Sequence, residues 1–189
     1  MSTRAKQEGG AERKGGGLPD KDAALKMLAD AGADAHVTAH CKAVSALAVK
    51  IASKSKKPVD TELVEIGGLL HDIGRSKTHG ISHAVEGAKI ARELNLPEEI
   101  VNIIERHIGA GVLEEDAERL GLPKKSYVPE TLEEKIIAHA DNLLSGDRRI
   151  PLSETVGKLV RKREFGGAKR MLALHKELSA LCGIDLDEL

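Results

Sequence analysis

Aromatic side chains are almost missing from this 189-residue chain: it has no Trp, one Tyr (Tyr127) and one Phe (Phe165). A core must therefore be built from Ala, Val, Leu and Ile. Tyr127 is the only ring near the histidine motifs that could stack on a base. Amides are scarce too, with one Gln and three Asn against 31% charged residues. That balance is typical of proteins from heat-loving prokaryotes. The two cysteines, Cys41 and Cys182, lie far apart and form no Cys-x-x-Cys pair. They read as reduced core thiols of a cytosolic protein. An excess of either charge is also lacking: 29 Lys and Arg stand against 30 Asp and Glu. Wholesale coating of nucleic acid is therefore not expected, and nucleic acid is disfavoured as a partner. No apolar run approaches the roughly 18 residues of a membrane span. The N-terminus has no apolar signal region. These absences predict a cytoplasmic protein with no membrane partner.

What is present is helical punctuation. Residues 1–18 are rich in Gly, Lys, Arg and Glu and are expected to be a disordered tail. Residues 19–189 read as one all-α domain, with a motif-bearing core over 34–145 and a C-terminal helical extension over 150–183. Asp20 caps a helix that stops at Gly32. Val37, Cys41, Val44, Ala48 and Ile51 mark one face of a helix over 35–55. Asp60 opens a third helix, which ends near Asp72. Ser82 caps a fourth, and Pro97 begins a fifth that reaches His107. A short sixth covers 113–120. Thr131 and Glu134 form a capping box for a seventh, which runs to Leu144. Two more cover 153–163 and 167–182. No stretch alternates with period two for long, and there is no internal repeat.

Five of these elements carry residues suited to one kind of chemistry. His40 lies in "HVTAHCKAV", His71 and Asp72 in "LLHDIGR", His83 in "HAVEGA", His107 in "ERHIG" and Asp141 in "AHADN". In a helical bundle such positions can converge on one cavity. Neutral imidazole and carboxylate suit divalent iron, manganese, cobalt, nickel or zinc. The two oxygens of Asp72 could bridge two ions, and two ions about 3.5–4 Å apart clamp a phosphoryl oxygen. Arg75, three residues after Asp72, offers a planar fork for phosphate.

These motifs resemble the HD superfamily of metal-dependent phosphohydrolases, which is identified by His, then His-Asp, then Asp: His40, His71–Asp72 and Asp141. "HDIGR" matches the HDIG variant and is similar to uncharacterised archaeal HDIG proteins. "HAVEGA" looks like the His-x-x-x-Gly-Ala segment of two-metal members, and His107 sits where those members carry their next histidine. The resemblance implies one metal on His40, His71, Asp72 and Asp141, with Asp72 bridging to a second on His83 and His107. Many relatives carry Lys where this chain has Arg75.

The expected activity is hydrolysis of a phosphoester or phosphoanhydride, in a small phosphorylated substrate such as a nucleotide, by a metal-bound hydroxide. Two divalent transition ions per chain are expected. Asp72, Arg75 and His79 form the expected catalytic set. Arg75, His79 and His36 are the expected substrate contacts, although His36 and His79 also fit a solvated helix start and a solvated loop. His139, two residues before Asp141, faces away from it and reads as structural. His175 reads as a surface residue. The basic run Lys158 to Arg170 is flanked by Glu154, Glu164 and Glu177 and reads as a solvated helix face. Other readings are a non-catalytic module that binds nucleotide or RNA, and a regulatory partner in an RNA-processing assembly.

Overall fold

The computed structural model describes residues 16–189. Within them the chain is a helical bundle: α1 (Lys21–Asp30), α2 (Ala35–Lys54), α3 (Thr61–Leu70), α4 (His83–Glu93), α5 (Glu98–Arg106), α6 (Glu114–Ala117), α7 (Leu132–Asn142), α8 (Leu152–Arg161) and α9 (Phe165–Cys182). Most of the expected tail lies outside the described residues. Its last residues do not fit that expectation: Leu18 packs against the core, and the Gly16 N–H donates to the Asn95 carbonyl at 3.2 Å.

The punctuation works largely as the sequence implies. Asp20, Asp34 and Asp60 accept hydrogen bonds from the first turns of α1, α2 and α3, satisfying donors that have no partner within the helix. Ser82 precedes α4, but its side chain makes no capping bond. Thr131 caps α7 through the Glu134 N–H at 3.2 Å. Glu134 does not reach back to Thr131 as a capping box requires. Its carboxylate accepts the Glu130 N–H at 2.7 Å and pairs with Arg106 at 3.2 Å.

The core is aliphatic. Leu28, Ile51, Leu70, Ile100, Ile104, Ile136 and Leu143 are fully buried. Each contributes about 1.5–3 kcal/mol by leaving water, which is how a chain so poor in aromatics holds its fold. Helices α2, α3, α5 and α7 surround this core. Tyr127 is not available for stacking. Its ring is buried beside Val112, Ala117 and Leu122, and its hydroxyl donates to the Pro123 carbonyl at 2.9 Å.

A two-residue hairpin, β1 (Leu144–Ser145) against β2 (Arg148–Arg149), follows α7. Such a short pairing has no readable alternation, and only the Gly146–Asp147 turn marks it in the sequence. His139 is buried inside α7, as a structural residue should be. His175 is not a free surface residue. Its Nδ1 lies 3.1 Å from His139 Nε2, and its Nε2 lies 3.0 Å from Asp185 Oδ1. A carboxylate only accepts, so His175 donates from Nε2 to Asp185, and in the neutral ring its Nδ1 accepts from His139.

Candidate metal centre

Helix α3 stops at Leu70. His71 keeps helical angles as its C-cap, and Asp72 turns out of the helix at φ −102°, ψ 16° before a short 3-10 turn over Ile73–Ser76. That change of direction aims both side chains into one space. Two glycines bring the opposite wall close. A Cβ on Gly74 would lie 1.9 Å from the His83 carbonyl oxygen, and one on Gly87 would meet Ile104 Cγ2 at 2.7 Å. Only residues without side chains let the 3-10 turn, α4 and α5 pack this tightly. His83 and His107 thereby reach Asp72.

The six expected ligands converge. Asp72 Oδ1 lies 3.0 Å from His83 Nε2 and 3.4 Å from His107 Nε2. Asp72 Oδ2 lies 3.6 Å from His40 Nε2 and 3.8 Å from His71 Nε2. Asp141 Oδ1 stands 3.0 Å from His40 Nε2 and 3.9 Å from His71 Nε2. The two oxygens of Asp72 therefore face two different pairs of histidines. His71, Asp72, His83 and His107 are buried, while Asp141 keeps about a quarter of its side chain exposed, at 24%.

All four imidazoles are oriented by the backbone. His71 Nδ1 donates to the Gly68 carbonyl at 2.8 Å, His83 to Gly80 at 2.6 Å, His107 to Ile104 at 2.7 Å and His40 to Gly146 at 2.7 Å. A carbonyl only accepts, so each Nδ1 carries the proton. In the neutral ring the bare Nε2 then faces the cluster, which is the orientation a ligating histidine takes. The first three bonds reach back three residues along the chain. The fourth depends on the Gly146 turn between β1 and β2, which the sequence motifs did not reveal as part of the site.

This donor set suits divalent ions. His71 Nε2 and Asp72 Oδ1 are buried without a hydrogen-bond partner, and buried polar atoms are seldom left so. His40, His71 and Asp72 bring one ligand atom each within 4.8 Å of one another, as do Asp72, His83 and His107. Electrostatics favour donor forms at Asp72 and His71 and oppose one at His40, whose proton an ion must displace. Burial works against a charged Asp72, yet His71, His107 and His83 hold it well below the usual carboxylate range. Burial pushes His71 down to about 4, so it stays a neutral donor. Burial also opposes a charge on His40, but the Asp141 hydrogen bond and charge, with Gly146 and Asp72, raise it to about 9.

A cleft of about 390 Å³ opens beside this cluster, and His36, His40, Asp72, Arg75, His79 and Asp141 line it. Arg75 Nε donates to Asp72 Oδ2 at 2.5 Å, with 31% of the Arg75 side chain exposed toward the cleft. His36 and His79 are exposed at its rim.

A helical bundle with histidines and aspartates converging at its helix ends defines a class, and comparison with known proteins gives the family. The HD domain family model matches residues 37–146. The chain belongs to the HD domain family. It is 48% identical over 172 residues to a tRNA (cytidine(56)-2'-O)-methyltransferase of Picrophilus torridus, covering 91% of this chain and 50% of the relative. It is 49% identical over 151 residues to an uncharacterized protein of Methanocaldococcus jannaschii, covering 77% of this chain and 89% of the relative. The chain thus spans only half the length of the methyltransferase. In fold it is similar to the HD domain of the Listeria monocytogenes phosphodiesterase PgpH, solved with cyclic-di-AMP. The TM-score is 0.53 at 19% identity, covering 84% of this chain and 94% of that one. Among the described residues no helix is long and apolar enough to cross a membrane.

Proposed function

We propose that this chain is a metal-dependent phosphohydrolase that cleaves a phosphoester or phosphoanhydride bond in a nucleotide. The observation that carries this reading is the division of Asp72: one oxygen faces His83 and His107, the other faces His40 and His71. A carboxylate so placed suits two divalent ions, with His40, His71, Asp72 and Asp141 holding one and Asp72, His83 and His107 the other. Bound there, such ions polarise phosphoryl oxygens and lower the pKa of water. The chain's own residues do the rest. The carbonyls of Gly68, Gly80, Ile104 and Gly146 fix the imidazoles so that little reorganisation is needed. Arg75 orients Asp72 through Nε and presents its remaining N–H donors to the cleft, where a phosphate can accept them. His79 stands at the rim as a donor to the leaving group, and His36 as a substrate contact. The HD domain of PgpH was solved with a cyclic dinucleotide, which is consistent with a nucleotide in this cleft.

The test is a panel of nucleoside phosphates, phosphodiesters and dinucleotides, assayed with manganese or iron added to chelated protein. Metal-dependent release that disappears in Asp72→Ala is expected. No release from any member by fully metal-loaded protein would contradict the reading.

A second reading is a non-catalytic module attached to RNA chemistry. The observation favouring it is the tRNA methyltransferase relative, half of whose length this chain matches. Metal-loaded protein that binds nucleotide without turnover would support it.

A further inference from the structure

The α8–α9 hairpin lies outside the metal centre and has an unusual surface. The thirteen residues from Lys158 to Arg170 hold six cations and one acid. Two of the three acids that could neutralise this run, Glu164 and Glu177, are engaged outside it. Glu164 accepts two bonds from Arg119, at 2.9 and 3.0 Å. Glu177 pairs with Lys135 at 2.8 Å, and Glu154 faces only Lys158, at 3.6 Å. Arg161, Lys162, Arg163 and Lys169 are exposed and make no ion pair within the described residues. The face is solvated, as the sequence suggested, but its flanking acids leave these four cations unpaired.

In the same place stands the chain's one exposed aromatic ring. Phe165 is 62% exposed where α9 begins, directly after the turn made by Arg163 at φ 61°. Beside the hairpin runs an apolar groove of about 390 Å³, lined by Ile81, Ile108, Gly111, Leu159, Lys162 and Arg170. Ile81 lies two residues before His83, and Ile108 follows His107. Two lining residues thus belong to the segments that carry His83 and His107, although neither histidine lines the groove. Arg170 is fixed across it by two bonds to the Gly111 carbonyl, at 3.3 and 3.1 Å.

We propose that the α8–α9 hairpin binds a single-stranded polynucleotide, with backbone phosphates on Arg161, Lys162 and Arg163 and one base stacked on Phe165. Unpaired cations release counterions from a polyphosphate chain when they bind it. An aromatic ring beside them stacks on any unpaired base. A duplex keeps its bases stacked internally and offers no face to Phe165. In this proposal the strand continues along the groove toward the segments that carry His83 and His107. This rests on the phosphohydrolase reading for its direction but not for its measurement, because binding is read on metal-free protein.

The experiment is fluorescence anisotropy of a labelled mixed-sequence oligonucleotide of ~12 nucleotides, as RNA and as DNA, with chelated full-length protein. Three phosphate contacts predict that log affinity falls against log salt with a slope of about −2. The triple variant Arg161→Gln, Lys162→Gln, Arg163→Asn should remove most of that slope. Phe165→Ala should weaken binding about tenfold. Phe165→Leu should weaken it equally and Phe165→Tyr should not. Preference for RNA or DNA then identifies the polymer. The proposal is overturned by the absence of binding to both, by a salt slope that the triple variant leaves unchanged, or by wild-type binding in Phe165→Leu. That last result would make the hairpin an apolar docking face for protein. Binding without any turnover would leave this inference standing and remove the phosphohydrolase reading.

Discussion

His83 Nε2 and His107 Nε2 stand 3.0 Å apart, while the other nitrogen of each ring donates to a backbone carbonyl. Asp72 Oδ1 completes the triangle at 3.0 and 3.4 Å. Three electron-rich atoms that close repel one another unless a cation lies among them, either a proton or a metal ion.

Asp72→Ala removes the one side chain that faces both pairs of histidines. Metal content should fall below one equivalent and hydrolysis should disappear. The helices should persist, because the fully buried aliphatic core does not depend on Asp72. Elemental analysis and far-ultraviolet circular dichroism check both statements. Complete unfolding of Asp72→Ala or of chelated protein would show the ions to be structural instead.

Arg75→Ala removes the donor to Asp72 Oδ2 and the free end that faces the cleft. Turnover on any cleaved substrate should drop by about 10²–10³, the scale of one preorganised donor. Arg75→Lys should recover part of the loss, since charge returns without the fork. Equal rates in wild type and Arg75→Ala would assign the phosphate contact to another residue, His79 first.

Gly74→Ala places a methyl group against the His83 carbonyl, where ideal geometry leaves 1.9 Å. Backbone must move, so we expect a loss of about 3 kcal/mol, the upper range for overpacking. His83 moves with its carbonyl, and metal content should fall as well. Denaturant unfolding with elemental analysis measures both. Wild-type stability together with full metal content would contradict the close packing.

Acid should weaken the fold partly through His139. Burial, then His175 and Arg149, push this histidine down to about 3. The unfolded chain takes up its proton near 6.5, while the folded chain resists down to about 3. Stability is therefore full above 6.5 and is lost as pH falls through this window, by up to ~1.4 kcal/mol per pH unit. His139→Leu should flatten that slope relative to wild type in denaturant unfolding between these pH values. Parallel curves would show that His139 does not stay neutral in the fold.

Helix starts were legible in the sequence, because caps are local. Asp20 and Asp60 announce helix starts, and the resemblance carried by His40, His71–Asp72 and Asp141 implied the HD family that the family model matches. What stayed hidden depends on distant contacts. Gly146 is 106 residues from the His40 it orients, and its hairpin is too short to alternate. His175 meets His139 only because α9 folds back on α7. Tyr127 looks like a stacking ring until α6 and its neighbours bury it. The charge of Lys158 to Arg170 looked balanced, because a sequence does not show that Glu164 and Glu177 are engaged by Arg119 and Lys135.

The central claim is a two-ion centre divided by Asp72, and metal stoichiometry addresses it most directly. Chelated protein should be titrated anaerobically with iron or manganese, and the bound metal counted by elemental analysis. Wild type should hold about two equivalents per chain, and His83→Ala and His107→Ala about one each. A wild-type value of one that His83→Ala leaves unchanged would contradict the account, because Asp72 Oδ1 and the facing imidazoles would then be held together without an ion of their own.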